Sequence, residues 1–275
     1  MIGAAFGLGA ALLIGLGDLF GRRVSNRSSP ITSATAMQGF GAVTVALSLL
    51  IRRGTPEYSD LALGAVSGLG FATGLCCYYF GLKNTTSAVV APVTAVISTC
   101  VPFIWVLVIG QGVSQLTAIG VVVALAGLVM VTTDGEVAGR IKSGVVWGLS
   151  SGLGYGFGVT VLLNVTASGG TWVLLSQRLF AFAVMVPVAM TARAALSPPS
   201  GTRMTALLGG VCAGSASITC FLGLQFDPLA TVVAMSLFPV FSILVGWLVF
   251  KDQVSIRQVW GIALAVIGTG VVVGG

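Results

Sequence analysis

The stretch SQRLFAF puts Arg178 about nine residues into an apolar run that begins near residue 170. A guanidinium at that depth presents five donors in a rigid fork, which matches the two oxygens of a carboxylate or the face of a phosphate. The same group can instead send its stem to a membrane interface or tie down carbonyls at a helix end, and the sequence leaves both roles open. Gln177 precedes it. Gln38, in AMQGFGA, is a second large amide inside an apolar run, and Tyr155 lies in the middle of another, between Gly152, Gly154 and Gly156, where small neighbours leave room beside its ring. Tyr79, next to Tyr78, lies toward the end of a third. These five, Gln38, Tyr79, Tyr155, Gln177 and Arg178, form the candidate substrate-binding set. Asp18 is followed four residues later by Arg22, a helical neighbour, and reads as an interfacial ion pair rather than a proton site. Asp227 stands immediately before Pro228 and reads as a helix cap with proline in the first helical position.

Other chemistry is excluded by what the chain lacks. It has no histidine, so the commonest general base and metal ligand is missing. The seven acidic residues, Asp18, Glu57, Asp60, Asp134, Glu136, Asp227 and Asp252, fall mainly in the breaks between apolar runs and make no pair inside one. Cys76, Cys77, Cys100, Cys212 and Cys220 lie inside apolar runs without the spacing of a zinc site. The glycine-rich stretches carry no phosphate-binding Lys-Ser/Thr. These absences argue against an enzyme, a metal or a cofactor, and leave an ion gradient or the substrate's own gradient as the energy source. The net charge of +6 is spread over short breaks rather than one face, so no nucleic-acid partner is expected.

The elements that must position these side chains follow from composition. Of 275 residues, 56% are hydrophobic and 7% charged, against roughly a quarter charged in a soluble domain, and the mean hydropathy is +1.06. So few charges cannot cover a surface facing water, and the natural partner of the chain is a lipid bilayer. About twenty apolar residues are needed to cross ~30 Å of hydrocarbon as a helix. That ruler predicts ten spans, near 3–20, 31–51, 60–81, 86–109, 115–133, 144–164, 170–192, 204–223, 229–250 and 256–273. The first lacks the basic start and cleavage site of a signal peptide and is expected to be retained.

The second half of the chain repeats the first. GAAFGLGAALLIGLG (Gly3 to Gly17) returns as GVVWGLSSGLGYGFG (Gly144 to Gly158), and VSQLTAIGVVVALAG (from Val113) returns as VSIRQVWGIALAVIG (from Val254), both 141 residues later. The predicted organisation is a five-helix repeat over 1–133, a connection over 134–143 and a second repeat over 144–275. Five spans is an odd number, so the second copy enters the membrane from the other side. The fold class expected is therefore an all-α membrane protein with ten transmembrane helices in two inverted five-helix repeats. Glycine weakens a helix in water but lets backbones approach in lipid, which marks the two ladders as inner, closely packed helices.

GQGVSQLTAIGVVVALAGLVMV and KDQVSIRQVWGIALAVIGTGVVV end the two repeats. Each follows a proline-bearing apolar helix, APVTAVISTCVPFIWVLVIG or AMSLFPVFSILVGWLVF. In these features the whole chain resembles the EamA family of the drug/metabolite transporter superfamily. The resemblance implies a multi-pass secondary carrier of the inner or plasma membrane, working by alternating access, that exports or exchanges small metabolites such as amino acids or drugs; if the energy source is an ion gradient, a proton or other ion is its coupling partner. An uncoupled channel-like or scramblase-like protein is the alternative. Family members often carry an arginine near the start of the second or seventh span; here the seventh has Arg178 and the second has Gln38.

Overall fold

The structure, a computed structural model, describes residues 1–51, 54–55, 57–85, 87–110, 112–132, 138–250 and 255–274. Asp134, Glu136, Asp252 and Val254, and residues 134–137 of the expected connection, lie outside the described residues. The first half contains α1 (Ile2–Arg27), α2 (Pro30–Ser48), α3 (Tyr58–Asn84), α4 (Ser87–Val108) and α5 (Gln115–Thr132). The second contains α6 (Ala138–Leu162), α7 (Gly170–Thr191), α8 (Arg203–Phe226), α9 (Pro228–Met235), α10 (Phe238–Val245), which runs on into a π-helical turn at Gly246–Phe250, and α11 (Ile256–Gly274). Residues 138–143, expected in the connection, already belong to α6.

The described residues hold seven helical segments long and apolar enough to cross a membrane: α1, α3, α4, α6, α7, α8 and the α9–α10 pair, with Gln115–Gly127 of α5 as a shorter apolar helix. The ten expected spans are thus reached only in part by this measure. In α2 the reason is visible in the sequence: Thr32, Ser33, Thr35 and Gln38, all buried, take up its inward face with polar groups. Large apolar side chains such as Ile104, Val122, Leu153, Leu179 and Ile267 are more than half exposed on α4, α5, α6, α7 and α11. Water would not tolerate such a belt around a monomer, and lipid requires it.

Local chemistry sets the helix starts. Ser29 accepts from Thr32 N at 3.0 Å, with Pro30 as the first residue of α2. Asp227 caps α9 by accepting from Ala230 N at 3.0 Å, as its place before Pro228 implied. Between α9 and α10, Pro239 brings no N–H and the helix breaks at Ser236 and Leu237.

The glycine ladders set the packing. A methyl on Gly7 would lie 2.5 Å from Thr231 O, and one on Gly15 2.5 Å from Phe241 Cβ, so α1 receives α9 and α10 along that edge. At the corresponding positions of α6, a methyl on Gly148 would lie 2.7 Å from Val93 Cβ and one on Gly156 2.8 Å from Val101 Cβ, which seats α4. Another face of α6 meets α3 backbone to backbone: a methyl on Gly154 would sit 2.7 Å from Gly74 N. The main contacts repeat between halves, with α1 against α8 matched by α6 against α3, α2 against α8 matched by α7 against α3, and α5 against α11 paired with itself. Exchanging the two halves, with α9 and α10 counted as one helix, maps these contacts onto one another.

Candidate functional site

α1, α2, α3 and α4 of the first half and α6, α7, α8 and the α9–α10 break of the second surround a cavity of about 90 Å³. That is room for several waters and well below the ~300 Å³ at the lower end of drug-sized pockets. Four of the five residues nominated from sequence line it: Gln38, Tyr79, Tyr155 and Arg178. Gln177 does not. Its Nε2 donates to Ser67 Oγ at 2.7 Å, and Ser67 in turn donates to Gly158 O at 2.7 Å, so Gln177 serves the seam between α3, α7 and α6. Helical geometry explains the difference, since successive residues point about 100° apart and only one of the pair can face inward.

Arg178 is buried and stretched across helices from both halves. One guanidinium nitrogen donates to Gln38 Oε1 at 2.7 Å, and the other donates to Ala213 O at 2.6 Å and Ser217 Oγ at 2.5 Å. Its Nε is buried and has no hydrogen-bond partner among the described residues. The guanidinium stands 5.7 Å from the centroid of the Phe71 ring, a cation–π distance. Gln38 is oriented by its own donation to Phe71 O at 3.1 Å. Every one of these partners is neutral, and no salt bridge to Arg178 is found among the described residues. An isolated buried charge costs several kcal/mol even after relaxation. Neutral hydrogen bonds and an aromatic face recover part of that, and an incoming anion would recover more.

The aromatic side chains shape the remaining wall. Tyr155 meets Phe71 edge-on with centroids 5.5 Å apart, and its ring lies against Gly74, where a methyl would come within 3.0 Å of it. Tyr79 is fully packed, with its phenol over Gly21 of α1, a position where any Cβ would collide with the ring.

Asp18 corrects the reading drawn from sequence. Rather than ending the first span, it lies inside α1, which runs on to Arg27, and is buried in the wall of the cavity. Its Oδ2 accepts from Tyr78 Oη of α3 at 2.7 Å and from Ser242 Oγ of α10. Nothing near Asp18 in the sequence signals this, because Tyr78 and Ser242 lie 60 and 224 residues away. Asp60 was also passed over as a residue of a break. It is 1% exposed and accepts from Thr166 N at 3.1 Å and Thr166 Oγ1 at 2.5 Å, while Thr55 N donates to Ser168 O at 2.9 Å. These bonds fasten the first turn of α3 and the connection before it to the α6–α7 connection of the second half.

Residues 1–133 and again 142–274 match the model of the EamA-like transporter family. The chain belongs to that family. This EamA-like transporter has no match among curated proteins. A solved structure described only as a crystal structure of a protein resembles the EamA-like chain with a TM-score of 0.73 and 16% identity, covering 96% of this chain and 94% of that one. At that identity the likeness establishes the fold shared by the two proteins.

Proposed function

We propose that this EamA-like transporter is a secondary carrier that exports or exchanges small carboxylate-bearing metabolites, amino acids among them, by alternating access. In this reading ten helices cross the inner or plasma membrane as two inverted five-helix repeats, and the substrate sits between them against Gln38, Tyr79, Tyr155 and Arg178. Gln177 holds the wall behind Arg178. The exchangeable pattern of helix contacts supports the inverted repeat. The observation that carries the substrate class is the Arg178 guanidinium, buried at the cavity with only neutral partners and a spare Nε–H. Because the guanidinium stays charged, a site built on it favours ligands that bring a negative group and disfavours purely cationic ones. The cavity volume limits the ligand in this conformation to the size of a small amino acid or hydroxy acid.

Counterflow in sealed liposomes tests this reading. Purified protein loaded with alanine, lactate, glucose or tetraphenylphosphonium should accumulate the radiolabelled form of the first two and not of the others. Exchange confined to glucose or the cation would remove the anion-site assignment. Rapid equilibration of all probes without counterflow would instead favour an uncoupled channel.

A further inference from the structure

Asp18 is a carboxyl in the cavity wall that the substrate reading leaves without a role. It enters from α1 of the first half, whereas Arg178 enters from α7 of the second, and both line one cavity. Both hydroxyl donors converge on Oδ2, and among the described residues these are the hydrogen bonds the carboxyl receives. The donors come from opposite sides of the repeat boundary: Tyr78 belongs to the same half as Asp18, and Ser242 to the other half, on the helix that follows the break. Any rocking of one half on the other therefore alters how many hydrogen bonds the carboxyl receives.

We propose that Asp18 is the coupling-proton site of the carrier, a proposal that rests on the carrier reading above. In each cycle the carboxylate takes a proton from cavity water at Oδ1, becoming a neutral acid, and returns it to water when the cavity opens to the other side. The neighbourhood holds few competitors for that proton. α3 presents the phenols Tyr78 and Tyr79, α6 presents Tyr155, α7 presents Arg178, and α8 brings Cys212 beside Gly17, where a methyl would lie 3.7 Å from Cys212 Cβ. α8 also lines the cavity with the thiol of Cys220; among the lining residues α2, α4, α9 and α10 contribute no ionisable group, and on α1 itself Arg22 stands one turn further on. Phenols and thiols titrate well above neutrality and a guanidinium higher still in their ordinary ranges, so a carboxyl is the cavity group suited to exchange a proton. Charge reasoning gives the sense of coupling. A carboxylate arriving at Arg178 adds a negative charge to a water-poor cavity that already holds the Asp18 carboxylate, and a proton on Asp18 removes the repulsion. Proton and anion are thus expected to move together.

Two measurements test this. Infrared difference spectra of the purified protein, titrated through neutral pH, should contain a carboxylic-acid stretching band that is absent from Asp18→Asn. Tyr78→Phe and Ser242→Ala should each shift the frequency of that band, because both hydroxyls bond the same oxygen. The band requires no transport, so it decides the Asp18 assignment even if the carrier reading fails or Asp18→Asn does not fold. If no band responds to Tyr78→Phe, Ser242→Ala or Asp18→Asn, the assignment is overturned. In liposomes containing pyranine, lactate uptake by the wild type should respond to an imposed pH gradient and carry protons. Asp18→Asn should retain lactate counterflow and lose both the response and the proton movement. If Asp18→Asn instead loses alanine counterflow alone and keeps proton-linked lactate uptake, Asp18 binds the substrate ammonium and the proposal falls.

Discussion

Into the cavity α7 of the second half brings Arg178 and α2 of the first brings Gln38, while α1 of the first brings Asp18 and α6 of the second, 141 residues on, carries Val159. All four line the same cavity. The helices around them pack in matching pairs, so the two halves share a scaffold and divide the chemistry. Electrostatics gives a reason for the division. Two arginines facing one another at ~8 Å would repel by about 2 kcal/mol at an effective dielectric of ~20, and two aspartates likewise. One basic group from one half and one acidic group from the other avoid that cost while keeping a charged handle for a ligand.

The sharpest way to break the comparison is to move the charge across it. Arg178→Gln alone is expected to slow lactate counterflow about a hundredfold, the ~2–3 kcal/mol typical of losing charge-assisted hydrogen bonds. Adding Gln38→Arg returns a guanidinium to the cavity from the first half, and part of the lost rate should return with it. No recovery would mean that Ala213 O and Ser217, which hold the Arg178 fork from α8, orient it in a way the first half cannot reproduce.

Packing should prove more symmetric than chemistry. Gly154→Leu forces a side chain into the backbone of α3 and is expected to cost about 1–3 kcal/mol by thermal unfolding in detergent. Gly9→Leu, on a face of α1 where a methyl meets nothing within 4 Å, should be close to neutral and serves as the control. Equal losses at both sites would show that glycine content alone, rather than close helix approach, sets the stability.

What the sequence revealed and what it concealed follow the range of the interactions. Glycine periodicity is a local signal and the 141-residue repeat is a likeness of residue types that needs no knowledge of contacts, and they located the inner helices and the paired organisation. Arg178, Gln38, Tyr155 and Tyr79 were legible as candidates because a polar side chain in an apolar run is costly wherever it points. Gln177 met the same criterion, yet its direction depends on helix phase, which a run of apolar residues all round does not define. Asp18 was misread because a carboxyl near a span end with an arginine one turn away looks like an interfacial pair. Only the fold brings Tyr78 and Ser242 to it. Asp60 was concealed in the same way, its partner Thr166 lying 106 residues distant.

The smallest expected effect concerns the proline-bearing helices, which also differ between halves. In the first half α4 remains one helix from Ser87 to Val108 despite Pro92 and Pro102, whereas the corresponding span of the second is divided into α9 and α10. At the break, Leu237 N turns to Ala234 O at 3.2 Å and Val240 N to Leu237 O at 2.9 Å, tighter pairings than an α-helix makes, and Pro239 has no N–H to offer the Met235 carbonyl. Ser236 and Phe238 of this segment line the cavity, and Ser242 on the helix beyond it binds Asp18. A joint at that point would let α10 move against α1 while α4 stays rigid against α6. Pro239→Ala supplies the missing donor and should let the helix close up. Turnover in counterflow is then expected to fall about fivefold, ~1 kcal/mol, with little change in the half-saturating lactate concentration, whereas Pro102→Ala in the unbroken α4 should stay within about twofold of the wild type. Equal effects at the two prolines would take the joint out of the mechanism and leave the distribution of charge as the functional difference between the halves.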